Sequence, residues 1–219
     1  MAAEQVDRDV TDLDPFELMA AEAARLDAFF EGLDPAAWDR PSACEGWSVR
    51  DVLAHLAGSE EYNRACLDDD VAGLFTRYGE RGATDVHSFN AIGVADRADR
   101  PVADVLDEWR RERALTLDGL RALGDGDLAT SVGPYPARWQ GFHLASELAV
   151  HADDVGVPVA PGEEPARTAW RARVARFMLR ESKPELADTA VDGAALVAAV
   201  NGRLPAGSDP ALVELTLMP

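Results

Sequence analysis

The sequence predicts a mainly α-helical protein, a four-helix bundle with a small carboxy-terminal α(+β) extension, and three observations carry that expectation. Apolar residues recur at three- and four-residue intervals through four long stretches. Segments containing proline and glycine separate those stretches. The fourth stretch carries His143, Glu147 and His151 four residues apart, and a helix turns such a series onto one stripe, because each step of four advances only about 40° net around the axis. A bundle builds a cofactor site of this kind in its core, from side chains on facing helices.

In the first stretch Leu13, Phe16, Met19, Ala23, Leu26, Phe30 and Leu33 repeat at helical spacing, with Asp14-Pro15 supplying a cap and a first-turn proline. Asp34-Pro35 and Arg40-Pro-Ser-Ala-Cys-Glu-Gly46 break that pattern. Ser48, with Asp51 three residues later, approximates a capping box, so a second helix is expected from about Val49 towards Leu67. Residues 79–100, interrupted by Gly79, Gly82 and Gly93, support one shorter helix. Pro101 opens the third long helix, whose face is Val102, Val105, Leu106, Trp109, Ala114, Leu117, Leu120 and Leu123, and Gly124-Asp-Gly126 ends it. The loop Gly133-Pro-Tyr-Pro136 leads into the fourth, which stops near Gly156-Val-Pro158. Beyond Pro161-Gly-Glu-Glu-Pro165 a helix is expected from about Arg167 to Arg180, then an apolar helix after Asp192-Gly193. Val213-Glu-Leu-Thr-Leu217 alternates like a short strand. The expected division is a bundle over residues 10–160 and an extension over 161–219 that packs on it.

Forty acidic against 21 basic residues give a formal charge of −19 in 219 residues. Such a field repels polyanions, which argues against nucleic-acid and anionic-membrane partners. A small anionic ligand stays compatible, since a bound cation inverts the local field. No apolar run approaches the roughly 18 residues of a membrane span, and Met1-Ala-Ala-Glu-Gln-Val-Asp-Arg-Asp lacks the basic start and apolar middle of a signal peptide, so a cytoplasmic location is expected. Cys44 and Cys66 form no disulfide scaffold or metal-binding Cys-x-x-Cys and are expected as reduced thiols. A monomer or homodimer is expected.

His143 and His151 lie roughly 12 Å apart along a helix, too far to share one ion easily. The workable ligand pairs are His143 with Glu147 or Glu147 with His151, each with the i,i+4 geometry that presents two ligands to a metal. A third ligand must come from elsewhere. His55, on the second helix, is preferred to His87, because a ligand on a rigid element is held more accurately.

Trp38, followed by Pro41-Ser-Ala-Cys44-Glu-Gly46-Trp47-Ser48-Val49-Arg50-Asp51-Val52-Leu53-Ala54-His55-Leu56, resembles the signature of the mycothiol-dependent maleylpyruvate isomerase family, within the DinB-like superfamily of metal-binding four-helix bundles. Glu147-Leu-Ala-Val-His151-Ala-Asp153-Asp154 resembles its second signature. The resemblance covers about residues 12 to 160. It implies a DinB-like bundle with a divalent metal, zinc by preference, held by His55, Glu147 and His151 with one position open. It also implies the small thiol mycothiol as cosubstrate, activated as its thiolate to isomerise or conjugate a small electrophile. The chemistry is consistent, because a free thiol titrates near 8.5 and coordination to a divalent cation deprotonates it.

Further residues are candidates for contacts with the ligands or the substrate. Asp51, one turn before His55, is placed to orient its imidazole or simply to cap the helix. His143, Asp154, Arg138 and Trp139 lie on or near the ligand helix. Cys44 precedes a helix start, where the dipole lowers a thiol pKa, although packing with Trp47 explains it more plainly. Three functions are compatible with such a site: a metal- and thiol-dependent transferase or isomerase, a metal-dependent hydrolase using bound water, and a metal-binding bundle without catalysis.

Overall fold

All four long apolar repeats form helices in the computed structural model, which describes residues 6–217. The chain divides into two compact units, Pro15–Val157 and a second made of the residues up to Asp14 together with those from Pro158 onward. In the first unit the elements are α1 (Pro15–Glu31), α2 (Val49–Leu67), α3 (Val71–Glu80), α4 (Val86–Ala95), α5 (Val102–Leu123), the strands β1 (Asp127–Thr130) and β2 (Gly133–Pro136), and α6 (Ala137–Val155). Helix α1 packs along α6 and α2 along α5, while α2 and α6 meet over a shorter stretch.

Apolar residues on the inward stripes fill the interior of this unit. Leu26, Phe30, Val52, Leu53, Trp109, Leu120 and Phe142 are all fully buried. Phe30 stacks on Trp38 and meets Trp109 edge-on, at centroid separations of 5.5 and 5.8 Å. Gly141 lets α6 close on the start of α1, since a Cβ there would stand 2.9 Å from the Pro15 Cβ. Glu60 places a carboxyl in this interior, where it accepts hydrogen bonds from the Thr116 hydroxyl at 2.6 Å and the Asn63 amide at 3.1 Å. Burial pushes its pKa up against those two bonds.

Three expectations change. Helix α4 is the one shorter helix expected within residues 79–100, and α3, over Val71–Glu80, is an unexpected second. Gly82, at φ +95°, separates them, and Asp85 caps α4 by a reciprocal box with Ser88. Gly79 and Gly93 are not breakers but helical positions, and Gly93 admits the backbone of α2, its Cα lying 3.3 Å from where a Cβ of Gly58 would be. The Gly133–Pro136 segment, expected as a loop, pairs antiparallel with Asp127–Thr130 around Ser131-Val132. Gly133 at φ +102° permits that tight turn, and four-residue strands rich in proline leave almost no alternation to detect. The Ser131 N–H donates to the Tyr62 hydroxyl at 3.2 Å, holding the hairpin tip on α2.

The second unit contains α7 (Glu164–Ser182), α8 (Gly193–Val200) and the short α9 (Pro210–Val213). Its buried side chains include Val174, Phe177, Leu179 and Leu196. Arg176 donates to the carbonyls of Ala187, Thr189 and Val191, and Arg180 pairs with Asp9 at 2.6 Å and Asp188 at 2.9 Å. Residues 213–217 are not a strand. Asp209 caps and Pro210 starts a helical turn that runs into this segment, and no partner strand lies beside it among the described residues. Among the described residues the paired strands therefore belong to the bundle unit, not to the extension. No helix among the described residues is long and apolar enough to cross a membrane.

Candidate functional site

Two local devices fix the ends of the site. Ser48 starts α2 with a complete capping box: its hydroxyl accepts from the Asp51 N–H at 3.2 Å, and the Asp51 carboxylate accepts from the Ser48 N–H at 2.8 Å. His55 then falls two turns into a rigid helix. At the other end Gly156, left-handed at φ +80°, terminates α6 just beyond Asp154. The last carbonyls of α6 are taken by the loop before α2, with the Ala43 N–H donating to the Asp154 carbonyl at 2.8 Å and Arg40 to the Val155 carbonyl at 3.0 Å. That splice carries Cys44 to the foot of α6.

Across the α2–α6 contact, His55 Nε2 stands 3.1 Å from Glu147 Oε1, and His151 Nε2 stands 3.8 Å from the same oxygen. Ligand atoms of His55, Glu147 and His151 all lie within 4.8 Å of one another. Tetrahedral ligands at roughly 2.0–2.2 Å from one ion are about 3.3–3.6 Å apart, so small side-chain adjustments bring this group onto a single divalent cation. The two imidazoles are nearly covered, with side-chain exposures of 7% and 10%, whereas Glu147 keeps 32% and marks the accessible edge. The Trp47 ring lies 5.1 Å from that of His55 and closes one side.

The far edge of His151 is also fixed. Its Nδ1 is 3.1 Å from Asp154 Oδ2, an oxygen that also accepts from the Cys44 thiol at 3.1 Å. A carboxylate on Nδ1 holds the proton there and turns the Nε2 lone pair towards Glu147, which is the arrangement metal-binding imidazoles adopt. Cys44, His151 and Asp154 themselves form a second compact group of potential ligands.

The charges of the group reinforce one another. Burial alone would raise the Glu147 carboxyl, but the hydrogen bond from His55 and the electrostatic influence of His55, His151 and His143 hold it down at about 2. Burial alone would lower His151, but its contacts with Asp154 and Cys44 and the nearby Glu147 charge lift it to about 9. In the metal-free protein near neutrality the centre therefore combines a carboxylate with an imidazolium. A cation that displaces the proton meets a prearranged negative charge.

Of the other candidates from the sequence, Asp154 joins the site and Asp51 does not, because Ser48 takes the Asp51 carboxylate. His143 and Trp139 continue the stripe of Glu147 and His151 towards the start of α6. Tyr135, on β2, meets both: its hydroxyl is 2.9 Å from His143 Nε2, and its ring stands edge-on to Trp139 at 6.0 Å. Arg138 lies half a turn round from Glu147, with its guanidinium over the Phe142 ring. His87 is exposed on α4. The sequence reading missed Tyr135 because only the hairpin brings it over α6, and it underrated Cys44 because the tie between its loop and the end of α6 is long-range.

Residues 19–156 match the model of a family described as the mycothiol maleylpyruvate isomerase N-terminal domain. Two solved structures are similar in fold, the crystal structures of the mycothiol-dependent maleylpyruvate isomerase and of its histidine-to-alanine mutant. They share 17% identity with this chain at TM-scores of 0.55 and 0.54, and each match covers 76% of this chain and 67% of the other. No curated protein matches the chain.

Proposed function

Because the chain belongs to the mycothiol maleylpyruvate isomerase N-terminal domain family, we infer that it is a metal- and thiol-dependent transferase or isomerase acting on a small electrophile, with mycothiol as the thiol. The observation that carries this reading is the convergence of His55, Glu147 and His151 at one-ion spacing, with Asp154 fixing the outer nitrogen of His151. These three residues would hold the cation, zinc being suited to two imidazoles and a carboxylate. When bound there, a divalent cation supplies Lewis acidity that keeps a coordinated thiol as its thiolate at neutral pH.

The chain's own residues set the conditions for that chemistry. His55 and His151 come from two different helices and are covered by the bundle, so their positions are fixed by core packing and not by loops. Glu147, as a carboxylate, offsets part of the cation's charge, and its accessible edge leaves the approach from solvent open. Asp154 keeps one His151 proton on Nδ1, so that the nitrogen facing the site is the one that gives up its proton to a cation. Trp47 lies against the His55 ring and narrows the space beside it. The net charge of −19 would repel an anionic electrophile at long range, and a bound cation supplies the local attraction that such a substrate needs.

Elemental analysis of the purified protein, followed by calorimetric titration of mycothiol into wild type and His151→Ala, tests the reading. One divalent metal per chain and thiol binding that vanishes in His151→Ala are expected. Metal without thiol binding would redirect the assignment to a hydrolase using bound water or to a noncatalytic metal-binding bundle.

A further inference from the structure

His143 is the imidazole of the α6 stripe that the proposed ligand set does not use. It lies one turn before Glu147, a rise of about 6 Å along the helix, and it is close enough to act electrostatically on the Glu147 carboxyl. Its Nε2 meets the Tyr135 hydroxyl at 2.9 Å, with the two ring centroids 6.0 Å apart. Tyr135 in turn is held by the hairpin, whose strand β2 runs directly into α6. Both side chains are partly accessible. A phenol joined to an imidazole in this way passes a proton in either direction, because the hydroxyl donates to one partner while accepting from another.

A thiol that is bound as thiolate must give up its proton, and an adduct formed by that thiolate must regain one. His55, Glu147 and His151 are committed as ligands, and Asp154 is committed to His151. We propose that Tyr135 and His143 form the proton store of the site. On thiol entry the S–H bond breaks with its electron pair left on sulfur. The proton passes to the Tyr135 oxygen, directly or through one water, as the phenolic proton moves to His143 Nε2 and leaves an imidazolium. After the sulfur pair forms the new S–C bond, the displaced pair on the electrophile takes the proton from Tyr135, and His143 returns its own to the phenolate. No proton is gained or lost over the cycle.

This inference rests on the metal- and thiol-dependent reading, and nitrogen NMR of the zinc-loaded protein labelled at histidine separates the two. The chain has four histidines, so His143→Gln assigns the His143 signal by difference. With mycothiol as the probe and calorimetry reporting its binding, the His143 resonances should change from neutral imidazole to imidazolium in wild type. They should stay neutral in Tyr135→Phe, whose melting temperature and remaining histidine signals check that the fold is kept. Thiol binding with an unchanged His143 overturns the proton store and leaves the metal reading intact. Protonation of His143 in Tyr135→Phe as well removes Tyr135 from the path and overturns the pair. Absence of thiol binding overturns both the reading and the inference.

Discussion

Asp154→Asn should weaken metal binding by an amount that depends strongly on pH. The substitution keeps the side-chain volume but removes the charge that holds the Nδ1 proton of His151, across a contact of 3.1 Å at a site where Asp154 is 6% exposed. Losing an orienting carboxylate of this kind costs about 10- to 100-fold in metal affinity, roughly 1.4–2.7 kcal/mol. The same carboxylate, with Cys44 and the Glu147 charge, lifts His151 to about 9 against burial, so at pH 7 a cation must displace a proton held about two units below its pKa. That competition weakens apparent affinity about 100-fold in wild type. Without Asp154 the imidazole falls towards its ordinary value near 6.5, and competition at pH 7 shrinks well below that of wild type. The two effects oppose each other. At pH 7 the variant should bind zinc within about tenfold of wild type, whereas at pH 9, where competition in wild type has shrunk to about twofold, a loss of about 5- to 50-fold should appear. Chelator-buffered zinc titrations at the two pH values measure this. An equal affinity ratio at pH 7 and pH 9 would refute the account of His151.

Three further outcomes are expected. In the metal-free protein His151 is raised from 6.5 to about 9, so its contribution to stability is complete below about pH 6.5 and is lost as pH rises through 9; Glu147 is lowered from 4.5 to about 2, so its contribution is present above pH 4.5 and is lost as pH falls towards 2. Thermal melts of metal-free protein should therefore fall between pH 6.5 and 9, by at most about 3 kcal/mol of stability, while zinc-loaded protein should show no such fall; a flat metal-free profile contradicts the coupling. Ser48→Ala removes the hydroxyl half of the α2 capping box and should cost about 1 kcal/mol in urea unfolding. Gly141→Ala places a methyl 2.9 Å from the Pro15 Cβ and 3.2 Å from the Phe16 ring, and should destabilise by about 1–3 kcal/mol in the same assay; a neutral result would mean that α1 moves away freely.

The parts legible in the sequence are those set by local chemistry. Helices α1, α2, α5 and α6 follow from apolar periodicity, and the start of α2 follows from Ser48 and Asp51, because capping involves residues three apart. The stripe of His143, Glu147 and His151 follows from helix geometry alone. The choice among its possible ligand pairs does not, since it depends on where α2 places His55. Long-range contacts stayed hidden for the same reason. Cys44 reaches Asp154 through the tie between the 40–47 loop and the end of α6, and Tyr135 reaches His143 through a hairpin whose strands are four residues long. Residues 213–217 show the reverse failure, five alternating residues with no partner strand among the described residues, into which a capped helical turn runs instead. Gly93 misled in its own way, as a glycine that serves close helix packing and not a break.

X-ray absorption on the zinc-loaded protein, with and without mycothiol, addresses the metal centre most directly. The account predicts a first shell of nitrogen and oxygen from His55, Glu147 and His151, with a sulfur neighbour at about 2.3 Å appearing only when mycothiol is added and disappearing in His151→Ala. A spectrum in which mycothiol brings no sulfur to the metal, or in which His151→Ala leaves the metal shell unchanged, would contradict it.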